Sequence, residues 1–140
     1  FELPSIVSQE TVQMLRYLMS IEEPGGAQVE SIESAVDWLR RSQIGGVRLE
    51  KVTLEKPVQY QYHVATFDYR LVDDADAPPL WARFYDSKDN SIVLANRDGV
   101  RVKSYSEVHP ERRSGYAWFG TWPVALMLED YPAWRARRPR

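Results

Sequence analysis

Two breaks, Pro24-Gly25-Gly26 and Gly45-Gly46, confine helical periodicity to the first third of the chain and hand the rest to a different pattern. Before the first break, Val12, Leu15, Leu18 and Met19 recur at helical spacing. They predict a helix from about Gln9 to Ile21, with Ser8 as its N-cap. Between the breaks, Ile32, Ala35, Val36 and Leu39 share one face of a second helix, roughly Val29 to Ser42. Both faces read as core packing. After Gly46, Val47 to Thr53 alternates in part and predicts a short strand; Tyr60 to Leu71, rich in Tyr, Val, Thr and Phe, predicts another. Leu80–Tyr85 and Ser91–Ala95 flank Asp86-Ser87-Lys88-Asp89-Asn90 as a hairpin, and Asp98-Gly99 marks a turn before Val100–Tyr105. A last short helix starts near Pro123 and carries Val124 to Leu128. The pattern is that of an α+β chain with short strands, hairpins and much irregular coil.

At 140 residues the chain has the size of one domain with its own core. No apolar run approaches the roughly 18 residues needed to span a bilayer, so no membrane partner is expected. The chain begins at Phe1 without a leader and reads as an excised piece of a larger multi-domain protein, monomeric within it. Zero cysteines exclude disulfides and thiolate metal sites. The net charge of −2 hides an asymmetry: residues 1–96 carry 9 Lys/Arg against 15 Asp/Glu, whereas residues 97–140 carry 9 against 5. A basic C-terminal third on an acidic body points to a local anion site, not to a surface that coats nucleic acid.

The chemistry-bearing residues narrow this further. His63 and His109 are the only imidazoles, and neither sits in a nucleophile signature such as G-x-S-x-G. They form no ligand-spaced pair, and the glycine pairs are too isolated to cradle phosphate. Asp73, Asp74 and Asp76 offer hard oxygens that calcium accepts. They lack the glycine and bidentate glutamate of an EF-hand, so a solvated acidic loop is the better reading. What remains is arginine interleaved with aromatics: Trp81-Ala82-Arg83-Phe84-Tyr85, Asn96-Arg97-Asp98-Gly99, and Glu111 to Pro123 with Arg112, Arg113, Tyr116 and Trp118. Guanidinium forks pair with planar anions, and aromatic faces stack on rings. Arg83, in an aromatic strand, faces either an anion or an internal carboxylate; Arg97 could brace its turn, and Arg112-Arg113 could be a solvated face. Arg135 to Arg140 reads as a frayed tail.

These stretches resemble the C-terminal part of the family 10 polysaccharide lyases, the pectate lyases. The resemblance rests on Phe1-Glu2-Leu3-Pro4-Ser5, Val12 to Met19, Pro79 to Tyr85, Asn96 to Gly99, Glu111 to Pro123 and Tyr131-Pro132-Ala133-Trp134, in that order. It implies a mainly helical chain, part of an (α/α) toroid, and calcium-assisted β-elimination of polygalacturonate. It implies that Arg83, Arg97 and Arg112 contact galacturonate carboxylates, with Tyr116 as a further candidate. The resemblance departs at Asn96, where glycine is expected, and is weak over Gln59–Ala65. The family's catalytic and calcium-binding aspartates belong to a half with no counterpart here. Its arginine base belongs just before Phe1. The expectation is therefore a secreted, non-catalytic pectin-binding domain that needs no cofactor, with calcium bridging left open. The alternative is a fragment of an active lyase. Nucleic-acid binding is the weakest reading, given the negative net charge and the absence of any known motif.

Overall fold

The structure is a computed structural model and describes residues 3–138. Phe1 and Glu2 of the N-terminal motif, and Pro139 and Arg140 of the basic tail, lie outside the described residues. In chain order the elements are β1 (Ile6–Val7), α1 (Ser8–Met19), α2 (Gly26–Arg41), β2 (Val47–Gln59), β3 (Val64–Asp73), β4 (Trp81–Ala82), β5 (Phe84–Tyr85), β6 (Leu94–Ala95), β7 (Arg101–Val102), α3 (Pro110–Gly115), β8 (Phe119–Gly120), α4 (Pro123–Ala125) and α5 (Tyr131–Ala136). A 3₁₀ turn at Tyr105–Glu107 precedes α3, and a π-helical turn at Leu126–Asp130 joins α4 to α5. The class is α+β. The strands form four antiparallel pairs among the described residues and close no barrel.

The two predicted helices form where their periodicity placed them and bury the predicted faces: Val12, Leu15 and Met19 share one core with Ile32, Val36 and Leu39. Ser8 is a correction. The N-cap of α1 is Val7, and Ser8 is its first helical residue, fully buried. Its hydroxyl donates to the Ala82 carbonyl at 2.6 Å and accepts from Trp122 Nε1 at 2.9 Å. Tertiary partners have taken the hydroxyl that a local cap would use.

Trp81 to Tyr85 runs through the middle of the molecule. β4 pairs with β8, β5 pairs with β1, and Arg83 joins both ladders through its own backbone. Its N–H donates to Trp118 O and its carbonyl accepts from Ser8 N, each at 2.8 Å. Trp81 Nε1 donates to Leu39 O at 2.8 Å; the Tyr85 hydroxyl donates to Ser42 O at 2.7 Å and accepts from Ala82 N at 3.0 Å. Burial pushes the Tyr85 phenol up to about 12, so it stays a donor at any physiological pH.

The β2–β3 hairpin departs most from the sequence reading. β2 runs 13 residues, well past the Thr53 at which the sequence pattern ends it, and β3 runs 10, starting at Val64 instead of Tyr60 and reaching Asp73. Register holds from Val47↔Asp73 to Thr53↔Phe67, shifts, and resumes at Val58↔Ala65. Pro57 lies inside that shift, where no ladder N–H is required of it, so the strand passes through a residue that normally ends one. The final helix also exceeds its predicted span, reaching Ala136. Pro132 has no N–H for the ladder, which fits the π turn just ahead of it. The predicted tail is therefore helical through Ala136. Arg138 stacks on Trp134 at 4.7 Å, and Arg138 N donates to Arg135 O.

Candidate functional site

Three separate pieces of backbone carry the singled-out arginines, and each is fixed for a local reason. Arg83 is held by the crossing ladders just described. Arg97 occupies a tight turn in which Gly99 N donates to Asn96 O at 3.0 Å. Gly99 has φ +79, the left-handed position that closes a three-residue hairpin between β6 and β7. Arg112 lies in α3, which starts at Pro110 behind His109, whose ring Nδ1 accepts from Glu111 N at 3.2 Å.

One side chain fastens two of these pieces together. Asn96 Oδ1 accepts from His109 N at 2.7 Å, and its Nδ2 donates to Glu107 O at 3.1 Å. The turn bearing Arg97 is thus bolted to the segment that launches the helix bearing Arg112. Asn96 has this structural use, which local sequence pattern could not show.

The result is a cleft of about 280 Å³ lined by Leu3, Phe84, Ala95, Asn96, Arg97, Gly99, Arg112, Tyr116 and Trp118. Among the described residues no Asp or Glu lines it. Its floor is an aromatic triangle: Tyr116 meets Trp118 edge-on at 5.1 Å, Phe84 meets Trp118 at 5.7 Å, and Phe84 lies nearly parallel to Tyr116 at 6.1 Å. The Arg83 and Arg112 guanidinium carbons each stand 4.6 Å from the Tyr116 ring centre. The fold therefore brings Arg97, Arg112 and Tyr116 into one cleft and sets Arg83 beside it through the Tyr116 ring.

The three arginines differ in their company. Arg83 Nη2 is 3.3 Å from Glu10 and Arg97 Nη2 is 3.0 Å from Glu111. Among the described residues Arg112 has no carboxylate within ion-pair distance. Arg83 Nε, Arg112 Nε and Trp118 Nε1 are buried donors without a partner. An unmet buried donor is costly, and these three lie around one ring system. Arg113, next in sequence to Arg112, is wholly structural: its fork grips Asp68 at 2.7 and 2.9 Å and also reaches Val108 O.

The remaining candidates fall elsewhere. Asp74 of the acidic loop turns to Arg48 at 3.3 Å and to Asp76 N at 3.0 Å. Among the described residues no group of three or more His, Asp or Glu side chains converges to hold a metal ion. No helix of the structure is long and apolar enough to cross a membrane. His63 Nε2 lies 3.0 Å from Ser114 Oγ, and His109 caps α3, which are packing roles.

A model of the pectic acid lyase family matches residues 1–127. Two solved structures from Cellvibrio cellulosa resemble the fold. One is an aspartate-to-alanine mutant of a family 10 polysaccharide lyase in complex with trigalacturonic acid, at TM-score 0.64 and 26% identity over 90% of this chain. The other is a family 10 polysaccharide lyase, at TM-score 0.66 and 24% identity over 95% of this chain. The chain spans 36% and 38% of those two, little more than a third of their length. No curated protein matches it.

Proposed function

The chain belongs to the pectic acid lyase family, and on that footing we propose that it binds de-esterified polygalacturonate without cleaving it, as a targeting domain of a secreted enzyme acting on plant cell walls. The observation that carries this reading is the cleft in which Arg97 and Arg112 converge with no carboxylate among its lining residues. In this reading Arg83, Arg97 and Arg112 pair with successive uronate carboxylates, and Tyr116 packs against a sugar ring. Each charge-assisted contact contributes on the order of 1.5–3 kcal/mol.

The same lining argues against elimination. Removing the C5 proton of a uronate requires a base and a cation that neutralises the adjacent carboxylate. Arginine and tyrosine supply binding charge and a stacking face, and the carboxylate described beside the cleft, Glu111, is held by Arg97. The competing reading is a fragment of an active lyase, with which the short span relative to the solved lyases is also compatible.

Calorimetric titration with de-esterified polygalacturonate, once in EDTA and once in calcium, separates the two when products are assayed for unsaturated ends. Saturable heat in EDTA without unsaturated ends is the expected result. Unsaturated ends would overturn the non-catalytic reading, and no heat in either buffer would overturn the binding reading.

A further inference from the structure

The tip of the β2–β3 hairpin, Tyr60 to His63, is not part of the cleft, yet it is built against the cleft's edge. Tyr60 N donates to His63 O at 2.9 Å and closes the tip. His63 Nε2 meets Ser114 Oγ at 3.0 Å, and the His63 ring lies so close to Gly115 that a Cβ there would stand 2.8 Å from it. The Tyr60 ring meets His109 edge-on at 5.7 Å. A tip seated on α3 in this way holds Tyr62 in one place. The Arg97 guanidinium carbon is 4.1 Å from the Tyr62 ring centre, while the residue remains 61% exposed. One face of the ring is covered by a cleft cation and most of the rest faces water.

We propose that Tyr62 forms an additional sugar-stacking position at the Arg97 end of the cleft, so that the domain contacts a longer stretch of an acidic glycan than the cleft alone would hold. A tyrosine in this setting offers an apolar face for the C–H side of a pyranose and a hydroxyl rim for its polar edge. The cation beneath it is the same one that receives a carboxylate, so a chain leaving Arg97 passes directly over the ring.

This rests on the galacturonan reading above, and the test distinguishes the two. Wild type, Tyr62→Ala and Tyr62→Phe are titrated with trigalacturonate and with hexagalacturonate. The expected result is equal trimer binding by all three proteins, tighter hexamer binding by wild type and Tyr62→Phe, and a hexamer affinity roughly five- to tenfold weaker in Tyr62→Ala. Equal losses on trimer and hexamer would overturn the proposal, because Tyr62 would then act only by positioning Arg97. Hexamer binding unchanged in Tyr62→Ala would overturn it too. Failure of wild type to bind either oligomer would instead remove the galacturonan reading, and this proposal with it.

Discussion

Arg112 stands out among the cleft cations because no described carboxylate neutralises it, while Glu111 and Glu10 sit beside Arg97 and Arg83. Among the described residues a ligand carboxylate has no internal competitor at Arg112. Arg112→Ala should therefore weaken polygalacturonate binding about tenfold or more by calorimetry, and more than Arg97→Ala does. Arg112→Lys should recover little, since a point charge cannot replace a planar fork lying against Tyr116 and Trp118. These arginines could be singled out in the sequence because a charge among aromatics is unusual and costly. Their inequality was not legible there. Which arginine has a carboxylate beside it depends on Glu10, 73 residues away from Arg83 along the chain, and no spacing rule reaches that far.

At the level of elements, the hairpin is held to the body by the fork of Arg113 on Asp68, which joins α3 to β3. The Arg113 guanidinium holds the Asp68 carboxyl below its usual range, against a smaller opposing effect of burial. A depressed carboxylate stabilises the fold above the unfolded carboxyl range and loses that contribution as pH falls through its folded value. Asp68→Asn should lower stability at neutral pH by about 1–2 kcal/mol, short of a fully buried pair because 24% of the Asp68 side chain stays exposed. Thermal melts of wild type and variant should draw together only as pH falls beneath the ordinary carboxyl range and through the lowered Asp68 value. Helix positions were readable here because a 3.6-residue period is local. Hairpin length was not, because Lys56-Pro57 looks like a stop until the register shift that absorbs it is known. The aromatic tip was likewise invisible as part of a binding surface, since its neighbours Ser114 and Gly115 come from another element.

For the whole molecule, the charge asymmetry read from sequence survives folding in altered form. Arg101 pairs with Asp86 and Arg113 with Asp68, so much of the basic third is spent on internal pairs. Two of the arginines at the cleft are paired as well, Arg97 with Glu111 and Arg83 with Glu10, which leaves Arg112 as the cation there with no described carboxylate beside it. In the galacturonan reading binding should depend strongly on the ligand's carboxylates. Affinity should fall steadily as salt rises, and fully methyl-esterified pectin should bind far more weakly than de-esterified chains in the same titration. Equal affinity for the two would remove arginine pairing as the cause. The Asn96 fastening gives this cleft a thermodynamic character as well. Because one amide ties the Arg97 turn to the Arg112 helix, the interval between two cations is set during folding, and little backbone freedom remains to be lost when a glycan arrives. The entropy of association then falls chiefly on the sugar chain.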